Sequence, residues 1–151
     1  MPVVETSNFG IISYGPEASI EFPRGLPGFD DRRRFVALQF EDTAPLVFLQ
    51  SLEVPDLCFI TMPVLAVDPQ YRLAVTGEDL GQLELSPKRQ PRIGEEVLCL
   101  AVLSLGEGGP TANLLAPVVV NLRNLKAVQA VAAESGYSHQ HVLVAEEALV
   151  C

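Results

Sequence analysis

The chain contains no tryptophan, two histidines, three cysteines and ten basic residues, and each scarcity removes a class of function. Ten lysines and arginines against nineteen acidic residues leave a net charge of −9. A surface of that sign repels phosphate backbones and anionic headgroups over about 8–10 Å, so direct nucleic-acid or lipid binding is disfavoured and a basic protein partner is favoured. Cys58, Cys99 and Cys151 are odd in number, widely spaced and without a Cys-x-x-Cys pair, which reads as reduced thiols rather than a disulfide framework. The N-terminal residues lack a basic segment followed by an apolar one, and no apolar run approaches the ~20 residues of a spanning helix. The expectation is a cytoplasmic protein. Gly-rich phosphate loops and the Gly-x-Ser-x-Gly elbow are also missing.

What is present is an apolar fraction of 48% in 151 residues, enough for one domain with a real core. Of the twelve prolines, all but Pro2 are spread between Pro16 and Pro117, which leaves room for strands but not for long helices. Short β-branched or aromatic runs bounded by turn residues occur at 10–14, 19–22, 34–40, 46–51, 57–62, 97–105 and 118–122. They predict a mostly β, compact antiparallel fold, barrel-like or a sandwich, with one or two short helices. One helix is expected at 77–83, where Thr76 is placed to cap and Asp79 follows three residues on. Residues 123–134 fit either a helix or a strand, with propensity alone slightly favouring the helix.

Two segments set polar or turn residues inside apolar runs. In the first, Pro23, Gly25, Leu26, Pro27, Gly28 and Phe29 form a stiff turn whose apolar side chains are held in fixed directions, either plugging one end of the fold or standing at its surface. In the second, Thr111, Asn113, Leu114 and Leu115 precede Pro117 and Asn121. Asn121 is expected to satisfy a peptide group at a strand end. Asn113, between Thr111 and the two leucines, has the mixed character of an interface centre, and an edge beside it would accept an added strand or helix. Glu95, Glu96 and Glu107 flank the run 97–105 and are candidates for attracting a basic partner. Leu49-Gln50-Ser51 and Pro55-Asp56 read as hairpin chemistry, and Asp30-Asp31-Arg32-Arg33-Arg34 as a solvated charged stretch.

These residues, with Phe9-Gly10, Pro55-Asp56-Leu57 and Tyr137-Ser138, resemble in order and spacing the FliW family of flagellar assembly factors, from about Phe9 to about His141. The resemblance implies a β-rich, barrel-like fold, no enzymatic activity and no cofactor. It also implies cytoplasmic binding of flagellin and of the dimeric RNA-binding regulator CsrA, which relieves repression of flagellin translation. It turns residues 125–133 into a strand. This chain departs from the family pattern at Ala127-Val128-Gln129, where a glycine usually precedes the glutamine; in the loop 88–92; and in residues 142–151, expected to be a flexible tail. A monomer is expected. The alternative class is a small metal-binding or thiol-dependent protein using His139, His141 and a cysteine, although two certain ligands fall short of a site.

Overall fold

A computed structural model describes residues 2–26, 28, 31–132 and 135–143. The chain opens with an antiparallel hairpin, β1 (Val3–Thr6) and β2 (Gly10–Ser13). Then come β3 (Ile20–Glu21), β4 (Arg34–Leu38), β5 (Val47–Ser51), β6 (Cys58–Pro63), a single turn α1 (Val64–Val67) and α2 (Gly77–Gln82). The second half holds β7 (Val97–Gly106), β8 (Gly109–Ala112), β9 (Val118–Asn121), β10 (Ala127–Gln129) and β11 (His141–Val142).

The main sheet runs in the order β10-β9-β7-β6-β5-β4-β3, antiparallel throughout, with β8 on the far half of β7 and β11 on β8. It curls until its ends meet at one isolated bridge between Glu21 and Lys126, where the Glu21 amide donates to Leu125 O at 3.0 Å. The fold is therefore barrel-like, with a seam held by one rung. The interior is filled by Ile20, Phe22, Leu26, Phe35, Leu49, Leu100, Val118 and Val120, with Phe22 and Phe35 edge to face at 5.4 Å.

A second core lies outside the barrel wall. Alternate residues of β7 and β9, namely Val97, Cys99, Ala101 and Val119, turn outward and are covered by Val64, Tyr71, Val75, Leu80 and Leu83 from the stretch containing α1 and α2. This explains Val118-Val119-Val120: a strand buried on both faces has no polar alternation. Thr76 caps α2 by accepting from the Asp79 amide at 3.2 Å, as its sequence position predicts.

The strand runs expected at 10–14, 19–22, 34–40, 46–51, 57–62, 97–105 and 118–122 each coincide with one of these elements to within two residues at either end, β6 and β7 reaching one residue past their runs. Residues 127–129 form β10, so the strand reading of 125–133 holds over its middle. The positive φ of that hairpin falls on Leu125, at 57°, two residues before Ala127. Of the tail expected over 142–151, Val142 pairs with Thr111 and Leu143 packs against the outer core, and residues 144–151, including Cys151, lie outside the described residues.

Candidate partner-binding site

Thr111 and Ala112 end β8, and residues 113–117 carry the chain across to β9. This crossing is tied down at almost every peptide group. The Asn113 amide donates to Val102 O at 2.9 Å, the Leu114 amide to Ser138 O at 3.0 Å, and Leu114 O accepts from the Tyr71 hydroxyl at 2.8 Å. Leu115 O and Pro117 O accept from the amides of Ala132 and Ala130, and Gln129 Nε2 donates to Ala116 O at 3.0 Å. The free edge expected beside Asn113 is thus taken, by β7 on one side and by the chain before β11 on the other. An added strand has no place there.

Side chains follow the same pattern. Asn113 Oδ1 accepts from the Ala116 amide at 2.9 Å, holding the turn, while Thr111 and Leu115 are half-buried. Leu114 is 1% exposed and belongs to the outer core, so it reaches no partner directly; an apolar side chain between two strands is drawn inward by the same burial that shapes the loop. Asn121 Nδ2 donates to Leu83 O at 2.8 Å and its Oδ1 accepts from the Arg123 amide at 2.9 Å, fastening β9 to the end of α2. Pro117, buried, stands immediately before β9, where its missing N–H is harmless.

The acidic candidates are not brought together. Glu95 and Glu96 precede β7, whereas Glu107 sits in the turn after it, so ten residues of strand, about 33 Å, separate them. Glu96 is also no free charge. Arg89 grips it with two hydrogen bonds of 2.8 and 2.7 Å, the Arg92 amide donates to it at 2.9 Å, and these contacts lower its carboxyl to about 2. Glu95 pairs with Arg92 at 3.3 Å. Glu107 is exposed.

In the first motif, Leu26 enters the barrel interior, and Gly25 and Gly28 take φ of 69° and 85°, which side chains disfavour. Pro23 is half-buried in the turn before them. Pro27 and Phe29 lie outside the described residues. His139 is exposed in a turn and His141 begins β11, so the two do not share a strand. Among the described residues, no three His, Cys, Asp or Glu side chains gather as metal ligands. Burial pushes the Cys99 thiol up to about 12, opposite to what a nucleophile needs.

A different surface escaped the sequence. Phe9 from the β1–β2 turn, Phe40 after β4 and Phe48 on β5 form a ring cluster with centroids 5.2 to 5.9 Å apart, on the outside of the barrel. No spacing links residues 9, 40 and 48. Only the register of Leu38 against Phe48, and the hairpin folded over them, brings the rings together.

The family model for FliW protein matches residues 3–143. This chain belongs to the FliW family. The Desulfitobacterium hafniense flagellar assembly factor FliW is 34% identical over 143 residues, covering 95% of this chain and 91% of that protein. The FliW proteins of Thermosipho africanus and Bacillus pumilus are 31% and 30% identical, over 91% and 93% of this chain and 92% and 95% of theirs. A crystal structure of the flagellar assembly factor FliW superimposes with a TM-score of 0.82 at 29% identity, covering 95% of this chain and 97% of that one. The barrel with its outer core is therefore the FliW fold. No helix among the described residues is long and apolar enough to cross a membrane.

Proposed function

We propose that this protein is a cytoplasmic, non-enzymatic flagellar assembly factor that acts by occupancy. It binds flagellin while flagellin accumulates, and binds the RNA-binding regulator CsrA once flagellin has been exported, relieving repression of flagellin translation. The observation that supports this reading is the match to FliW over residues 3–143, in a chain whose net charge of −9 opposes any direct hold on messenger RNA. Docked on a CsrA dimer, the same charge and bulk disfavour RNA on the regulator.

Co-purification of this chain with flagellin and with CsrA, singly and in competition, tests the reading. Capture of each partner alone is the expected result. Indifference to both at micromolar concentration, or turnover of a small molecule by the pure protein, overturns it. Antagonism of RNA binding that persists undiminished at several hundred millimolar salt rejects the charge-repulsion element alone.

A further inference from the structure

The open strand edge that is missing beside Asn113 exists on the N-terminal hairpin. β1 and β2 form a two-stranded sheet of their own, and no third strand among the described residues pairs with either. The register sets Val3 against Ser13, Val4 against Ile12, Glu5 against Ile11 and Thr6 against Gly10. One step further out, the Tyr14 amide donates to Pro2 O at 3.0 Å. Hydrogen-bonded pairs alternate along an antiparallel ladder, so Val4 with Ile12 and Thr6 with Gly10 bond across the hairpin, and the N–H and C=O groups of Val3, Glu5, Ile11 and Ser13 point away from it. On β1 this outward row ends on the protein itself: the Ser7 amide donates to Pro55 O at 3.0 Å and the Ser7 hydroxyl to Asp56 Oδ1. On β2 the row of Ile11 and Ser13 has no partner among the described residues.

β2 also lacks the devices by which edges resist pairing. Pro2 and Glu5 flank or occupy β1, whereas Gly10-Ile11-Ile12-Ser13 holds neither charge nor proline. Ile11 is 70% exposed, Gly10 and Ser13 are exposed, and a Cβ at Gly10 would meet nothing within 4 Å. The charge nearby has one sign. Residues 1–23 and 35–71 contain no lysine, arginine or histidine. Glu5 stands directly across from Ile11, Glu17 follows β2 through Gly15-Pro16, and Glu41 and Asp42 follow Phe40, whose ring lies 5.4 Å from that of Phe9, the residue before β2. All four acids are exposed, and none joins an ion pair among the described residues.

We infer that the outer edge of β2 accepts one extended segment of a partner protein as a third strand, apolar on one face and carrying lysine or arginine. The segment's backbone bonds to the N–H and C=O groups of Ile11 and Ser13, an apolar side chain lies against Ile11, and its cations are drawn by Glu5, Glu17, Glu41 and Asp42. Glu5 lies two strand spacings, about 10 Å, from the added strand, near enough to be felt at physiological salt. A helix is the wrong occupant, because it would cover four backbone groups and bond to none of them. A second copy of this chain is opposed by its own net charge of −9. The inference rests on the docking activity proposed above and assigns it a surface and a partner chemistry.

A capped peptide of about eight alternating valines and lysines, a typical strand length, is the probe, titrated to millimolar concentration into the isotope-labelled full chain and followed by amide NMR. Saturable downfield shifts of the Ile11 and Ser13 amide protons are expected, the mark of new hydrogen bonds. Ser13→Pro removes one outward donor and no bond of the hairpin, and weakens the binding read at Ile11 about threefold or more. Ile11→Lys keeps the donor but sets a cation against the peptide's own, with a loss of about the same size. Leu122→Lys, at a position 43% exposed in the turn after β9, adds the same charge elsewhere and leaves binding unaltered. Circular dichroism and melting temperatures verify that the variants fold. Absence of saturable shifts at Ile11 and Ser13, equal binding of a valine-glutamate peptide, or binding indifferent to both β2 substitutions overturns the inference. So does movement of these two amides with protein concentration alone, accompanied by a sedimenting dimer, which gives the edge to a second copy. The probe is neither flagellin nor CsrA, so its failure leaves the proposed function standing, and indifference to those two proteins with probe binding intact removes that function alone.

Discussion

Asn121 does at one residue what the sequence leads one to expect of it, and Asn113 shows where such reading stops. Both are amides flanking the same apolar run. Asn121 is 3% exposed and spends both ends of its amide on backbone, Leu83 O and the Arg123 N–H. Asn121→Ala takes the partner from the Arg123 amide and leaves Leu83 O only the longer 3.4 Å contact from Asn124 Nδ2, and is expected to destabilise by about 1–3 kcal/mol, read as a lower urea midpoint with unchanged slope. A loss below about 0.5 kcal/mol would mean water replaces both bonds. An amide at a strand end is legible because its options are few. The environment of Leu114 was not legible, since an apolar residue beside polar ones suits an interface and a core equally, and only the Tyr71 and Ser138 contacts around it settle which.

Local rules reach furthest at the level of the element. The Thr76 cap on α2 needs four consecutive residues, and the strands of the barrel announce themselves by β-branched runs between prolines. Thr76→Ala removes the hydrogen bond to the Asp79 amide and is expected to cost about 1 kcal/mol, whereas Thr76→Ser retains it. Equal melting temperatures for the Ala and Ser variants would show that the cap is idle. β8 and β11 were not visible in advance, because Gly109-Pro110 and His141-Val142 carry no strand signal of their own. They exist because β7 overshoots the barrel at Leu103–Gly106 and offers an edge that β8 takes by a tight turn, and β8 then offers its own other edge to β11. Pairing made available by another strand's length is a non-local fact.

For the molecule as a whole, the net charge was plain from composition, but its distribution was not. The acids singled out around β7 prove to be separate. Glu96 is neutralised by Arg89 and Glu95 pairs with Arg92, which leaves Glu107, exposed in the turn after β7, as the one of the three with no ion pair among the described residues. The grip on Glu96 has a consequence for acid stability. Its folded value of about 2 lies below the usual 4.5, so its contribution is complete above pH ~4.5 and is lost as pH falls towards 2. Glu84, lowered by its hydrogen bond and ion pair with Lys126, acts in the same direction. The urea midpoint is expected to drop between pH 5 and 2.5, and Glu96→Gln to lower it at pH 6 while flattening that drop. Parallel profiles for the two proteins would place the acid sensitivity elsewhere.

β9 separates two packed interiors with one thickness of backbone: Val118 and Val120 face one, Val119 the other. A party wall of that kind lets neither tenant remodel alone. Enlarging Val119 presses the strand into the barrel, and enlarging Val120 presses it towards α2, so acceptable changes on the two sides must arrive as matched pairs.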